Sequence, residues 1–135
     1  MNVFVDTSVW SLALRRDAPP HLPEVRLLDE LLERRDPIFT TGIVLQELLQ
    51  GFHRGPRAAE RIIERFTAFH RVTPETGDHI ESARLYTRCR QHGVQVGTID
   101  ALLAQLCIRY ELAMLSTDRD FYHIARWTGL KLLEG

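Results

Sequence analysis

Residues 2–8, Asn2-Val3-Phe4-Val5-Asp6-Thr7-Ser8, form a short apolar run that ends on an acid and two hydroxyls. Bulky β-favouring side chains closed by Asp, Thr and Ser predict a buried strand, Asn2 to Val5, feeding a helix near Ser8 to Arg15. The same pattern recurs along the chain. Asp17-Ala18-Pro19-Pro20 breaks that first helix, and Leu27, Leu28, Leu31 and Leu32 lay an apolar stripe on a second, Pro23 to Arg35. Ile38 to Thr40 reads as a strand, Thr41 to Gln50 as a helix with Gly51 just past its end, and Pro56 to Phe69 as a fourth helix. His70-Arg71-Val72 is a short strand. Thr73 would cap a fifth helix, Pro74 to Gln91, which His92-Gly93 stops. Gly97-Thr98 opens a sixth, with Ile99, Leu102, Leu103, Leu106 and Tyr110 in helical period. Ala113 to Leu115 is a strand, Asp118 to Trp127 a last helix, and Leu130 to Leu133 an edge strand. Strands alternating with helices predict an α/β fold, a mostly parallel central sheet flanked by helices on both faces.

The 135 residues suffice for one hydrophobic core and no linker divides them, so a single domain over 1–135 is expected. With 44% hydrophobic and 26% charged residues, disordered and low-complexity classes are excluded. No apolar stretch has membrane-spanning length, and Met1 leads into the first strand with no basic leader, so a cytoplasmic chain without membrane attachment is expected. Cys89 and Cys107 form no CxxC pair and read as reduced core thiols. Net charge −1 argues against coating nucleic acid by bulk charge. Of the 17 basic residues, 16 are arginine, whose planar fork suits phosphate.

In an open parallel sheet, ligands bind beyond the carboxyl ends of strands, which directs attention to Asp6, Asp118 and Asp100, the last in the first turn of the sixth helix. Singly, each is explained as well by helix capping. Glu47 is different, because on a helical wheel it falls between Ile43 and Val44, inside an apolar arc, with no basic residue at i±3 or i±4. A carboxylate there needs a partner, unless the arc is narrower and leaves it at a solvated edge. Four converging carboxylates repel one another by about 4 kcal/mol per close pair, and so ask for a cation. An all-oxygen ligand set favours Mg²⁺ or Mn²⁺, and the six histidines show no zinc-type spacing. Two such ions would move the formal charge from −1 to +3 and let phosphate approach.

The blocks Val5-Asp6-Thr7-Ser8, Leu45-Gln46-Glu47-Leu48-Leu49-Gln50-Gly51, Thr98-Ile99-Asp100-Ala101-Leu102-Leu103-Ala104 and Leu115-Ser116-Thr117-Asp118-Arg119-Asp120-Phe121 resemble, in order and spacing, the four acidic motifs of PIN-domain ribonucleases. Within that family they are similar to the VapC-type toxins of prokaryotic toxin–antitoxin pairs. The resemblance spans nearly the whole chain. It implies a PIN-like fold and a Mg²⁺- or Mn²⁺-dependent endoribonuclease acting on structured RNA such as tRNA or rRNA. Homodimerisation and a small VapB-like antitoxin partner are also implied. By position, Asp6, Glu47, Asp100 and Asp118 match the catalytic and metal-binding quartet, Asp120 offers a second acid beside Asp118, and Thr7 and Ser116 match hydroxyls that orient the acids.

Arg57, Arg61 and Arg65 recur every four residues with Arg54 just before them, a stripe able to track RNA; Glu60 and Glu64 make a salt-laced solvent face the preferred reading. The pairs Arg15-Arg16 and Arg34-Arg35 complement helix carboxyl ends. Trp10, Leu12, Leu28 and Leu32 could line a groove for an antitoxin helix or belong to the core. Three alternatives stand beside the ribonuclease. A Mg²⁺-binding receiver domain would need a lysine after a central strand, whereas Lys131, the sole lysine, lies near the terminus. A catalytically silent PIN module and a DNA-directed nuclease are the others.

Overall fold

A strand that buries every side chain needs hydrogen-bonded neighbours on both edges and cover on both faces. β1 (Val3–Val5) has both, with all three side chains fully buried. In the computed structural model, which describes residues 1–14, 21–51 and 55–134, it pairs on one side with β2 (Ile38–Thr40) and on the other with β4 (Ala113–Leu115). Val3 sits opposite Ile38 and Ala113, and Phe4 opposite Phe39 and Met114. β3 (His70–Arg71) and β5 (Lys131–Leu132) close the edges, giving the order β3-β2-β1-β4-β5 with every pairing parallel. The edge strands are short and mostly exposed, which limits their power to recruit foreign strands.

Seven helices connect the described strands: α1 (Thr7–Ala13), α2 (Pro23–Glu33), α3 (Gly42–Gly51), α4 (Pro56–Thr67), α5 (Thr76–Gln91), α6 (Thr98–Arg109) and α7 (Asp120–Trp127). The chain steps from β1 through β2 to β3 in one direction, then crosses back to β4 and β5. Right-handed crossovers therefore put α1–α4 on one face and α5–α7 on the other. The packing agrees. α1 touches α2 and α3, and α3 touches α4, while α5, α6 and α7 pack against one another. The expected α/β sheet with helices on both faces is what forms.

Several local expectations are corrected. Helix α5 is capped at Glu75 rather than Thr73, because the Asp78 carboxylate reaches back to the Glu75 backbone N–H at 2.8 Å. The same buried carboxylate accepts the Arg109 guanidinium and so ties α5 to α6. Gly51 lies inside α3, and α7 begins at Asp120, not Asp118. Ile99 and Tyr110, expected on the apolar face of α6, are exposed. That helix contacts β4, α5 and α7, so Ala101, Leu103, Ala104, Leu106 and Cys107 are buried instead. Trp10 and Leu28 are core residues, each 1% exposed, and the Trp10 ring packs 5.1 Å from Phe66 and 5.2 Å from Phe69. They cannot line a surface groove; Leu12 and Leu32 are half-buried. Cys89 and Cys107 are buried free thiols, as expected. Arg15-Arg16, Asp17 to Pro20 and Arg54 lie outside the described residues. Among the described residues no helix is long and apolar enough to cross a membrane.

Candidate metal centre

The strand order reverses at β1, with β2 and β3 to one side and β4 and β5 to the other. Helices leaving the carboxyl ends of β1 and β4 therefore diverge to opposite faces and open a crevice between them. Asp6 lies at its floor. Its backbone N–H continues the β1–β4 ladder by donating to Leu115 O at 2.9 Å, and its side chain is buried. Oδ2 of Asp6 accepts the Ser8 hydroxyl at 2.7 Å, the Ser116 hydroxyl at 2.8 Å and, more weakly, the Ser8 backbone N–H at 3.4 Å. Asp6 thus caps α1 with one oxygen, and among the described residues no donor reaches the other.

The two serines also stitch the β1–α1 turn to the β4–α7 loop. Ser8 Oγ accepts the Thr117 N–H and Ser116 Oγ the Asp118 N–H, both at 3.0 Å. Asp118 then accepts the Asp120 N–H on Oδ1 at 2.9 Å, which aims the start of α7. Glu47 enters from α3 half-buried, at the edge of the apolar arc rather than within it. The partner it needs is the Thr7 hydroxyl, which donates to Oε1 at 2.8 Å. Thr7 and Ser116 thus each donate a hydrogen bond to one of the candidate acids. Ser8 was missed, although its place two residues after a capping Asp is where a hydroxyl can fold back onto it.

Oxygens of Asp100, Asp118 and Asp120 all lie within 4.8 Å of one another. Asp6 and Glu47 stand outside that tightest group but share its field. The Asp100 carboxyl is pushed up to about 6, first by burial and then by the charges of Asp118, Asp6, Asp120 and Glu47. Among the described residues no Lys, Arg or His lies within ion-pair distance of any of the five; the ion pairs formed involve Asp36, Glu75, Asp78 and Glu81. Five acids without a cationic side chain are a site under repulsion, which a small divalent ion would relieve. The donors fit such an ion, being hard oxygens spaced as ligands around one hard cation would be. The described histidines are exposed, and none hydrogen-bonds to a cluster acid. The Arg57, Arg61 and Arg65 side chains are exposed, and among the described residues no ion pair with Glu60 or Glu64 forms. Among the described residues the expected salt-laced face is therefore not formed.

Removing either serine hydroxyl leaves Asp6 Oδ2 with fewer donors. Ser8→Ala and Ser116→Ala should each lower stability by about 1 kcal/mol and cut any metal-dependent activity roughly tenfold. Ser116→Thr should restore most of the activity. Thermal melts run beside activity assays would separate this positioning effect from simple unfolding.

Comparison with known proteins bears on this geometry. Over 50 residues the chain is 38% identical to Ribonuclease VapC23 of Mycobacterium tuberculosis, a match that takes in 37% of this chain and only 40% of that relative's length. Its backbone superposes on VapBC2 from Rickettsia felis, solved bound to a DNA fragment from their promoter, with TM-score 0.74 and 20% identity over 98% of both chains. FitAcB from Neisseria gonorrhoeae gives 0.75 and 18% over 99% of this chain and 97% of that one. VapC20 of M. tuberculosis, a Sarcin-Ricin loop cleaving toxin, gives 0.69 and 19% over 95% and 98%. At these identities the structural matches speak for the fold alone. The PIN domain family model matches residues 3–126, a span that contains all five acids, both serines and every element from β1 to within one residue of the end of α7, and it displaces the receiver-domain alternative. The chain belongs to the PIN domain family.

Proposed function

We propose that this protein is a divalent-metal-dependent endoribonuclease of the VapC type, the toxin of a toxin–antitoxin pair acting in the cytoplasm on structured RNA such as tRNA or rRNA. The observation that carries this reading is the convergence of Asp6, Glu47, Asp100, Asp118 and Asp120 on one crevice, with no cationic side chain among the described residues to neutralise them. Asp100, Asp118 and Asp120 would hold the ion, Mg²⁺ or Mn²⁺, with Asp6 and Glu47 completing the shell. When bound, the ion would neutralise the scissile phosphate and lower the pKa of water.

The chain's own groups do the positioning. Thr7 pins one Glu47 oxygen and would leave the other to orient a water, while Ser8 and Ser116 pin one oxygen of Asp6 and leave the other without a donor among the described residues. The Asp118 bond to the Asp120 N–H holds those two acids in one relative orientation. A VapB-like antitoxin as partner is supported by likeness to chains solved in VapBC complexes; a homodimer is proposed beside it. The test is incubation of the pure chain with total RNA under Mg²⁺, Mn²⁺ or EDTA. Ends that appear only with metal support the reading; intact RNA under all three conditions defeats it, and cleavage confined to DNA redirects it.

The exposed Arg57, Arg61 and Arg65 stripe is proposed to follow the RNA backbone. Replacing all three with Gln should weaken binding and reduce the slope of log K against log salt by about 2. Filter binding across a salt series would show it, and an unchanged slope would remove the stripe from the RNA path.

A further inference from the structure

We propose that the outer face of α7, together with His92 at the end of α5, is a stacking platform for unpaired nucleotides flanking the scissile bond. This rests on the ribonuclease reading above. Arg119, Tyr122, His123 and Arg126 recur at i, i+3, i+4 and i+7, so they share one helical face. All four are exposed, whereas Phe121 and Ile124 on the opposite face are buried. Next to this face Trp127, 38% exposed, lies under the His92 imidazole at a ring distance of 3.9 Å and an angle of 19°. His92 is itself held by its Nδ1 contact with the Arg88 carbonyl at 2.9 Å. Arg126 stands 5.6 Å from the Trp127 ring.

Two features point to nucleic acid rather than protein as the occupant. Arg119 and Arg126 make no ion pair among the described residues, whereas Arg34, Arg84 and Arg109 all do. Cations interleaved with exposed aromatic rings suit a phosphate backbone carrying stacked bases. The face is also continuous with the acidic crevice. Asp120, the only acid of α7, sits in the metal-binding group, and Trp127 lies about 10 Å further along the axis, roughly three stacked nucleotide steps. A duplex offers no free base faces to these rings, so the platform selects unpaired nucleotides.

The test uses the full chain carrying Asp100→Asn, in EDTA so that nothing is cleaved, titrated with a single-stranded oligouridylate of about a dozen nucleotides and with the matching duplex. Trp10 is buried in the core, so a change in tryptophan emission reports Trp127. Expected are quenching by the single strand, weaker quenching by the duplex and, in the fluorescence anisotropy of an end-labelled strand, which needs no tryptophan, roughly tenfold weaker single-strand binding for Trp127→Ala and for Tyr122→Ala. Arg119→Gln with Arg126→Gln, which leaves the His92–Trp127 stack in place, should lower the salt slope by about 1.4. Single-strand affinity and salt slope unchanged in all these variants, or equal quenching by duplex and single strand, would overturn the platform. Its failure is distinct from failure of the ribonuclease reading. Metal-dependent cleavage with unaltered KM in folded Trp127→Ala and Tyr122→Ala would defeat the platform alone, whereas quenching without cleavage by the unmodified chain would defeat the enzyme alone.

Discussion

Asp100→Asn should abolish RNA cleavage while raising the melting temperature of the metal-free protein. The two effects have one cause. Burial and four neighbouring carboxylates push the Asp100 carboxyl up to about 6 from its ordinary 3.8. Between those values the folded state holds a proton that the unfolded state has released, so stability falls as pH rises through this window. Above it, ionised Asp100 works against folding by about 1–2 kcal/mol, once solvent screening of a half-buried group is allowed for. An uncharged amide removes that term. At pH 7.5 in EDTA the variant should therefore melt several degrees above the unmodified chain, and the two should converge near pH 4. With metal present, loss of a ligand oxygen should cost cleavage on the order of 10³-fold. Asp6→Asn should lose cleavage similarly without the gain in stability, since the Asp6 carboxylate is stabilised by the hydroxyls of Ser8 and Ser116. An Asp100→Asn chain that cleaves normally would falsify the assigned ligand role. One that melts below the unmodified chain in EDTA would show that the acids do not repel as described.

Divalent ions should stabilise the unmodified chain strongly. A ligand that binds only the folded state at a hundred times its dissociation constant adds about 2.7 kcal/mol. For a domain of this size that corresponds to a rise of roughly 10 °C. Differential scanning fluorimetry with Mg²⁺, Mn²⁺ and Ca²⁺ would measure it, with EDTA reversing the shift. The Asp118→Asn/Asp120→Asn double variant removes two of the three clustered carboxylates and should lose most of the response. A shift of the same size in that double variant would place the ion elsewhere in the molecule.

Much of this protein was legible in one dimension. Strands such as Ile38–Thr40 and Ala113–Leu115 follow from short β-favouring runs, and their alternation with helical periods suffices for a parallel sheet clothed on both faces. Acids placed just past those strands, or one turn into the next helix, mark the crevice because backbone direction puts strand ends on one side of such a sheet. Periodicity, however, reports only which side of an element is apolar and not what lies across from it. Tertiary structure alone supplied the Thr7 hydroxyl to Glu47, 40 residues away, and the Ser116 hydroxyl to Asp6, 110 residues away. It alone sent Trp10 and Leu28 into the core rather than a groove, left Ile99 and Tyr110 outside, and set His92 on Trp127. Contacts between distant segments depend on how sheet twist and helix packing orient whole elements, and that information resides in the assembled fold rather than in any local stretch of chain.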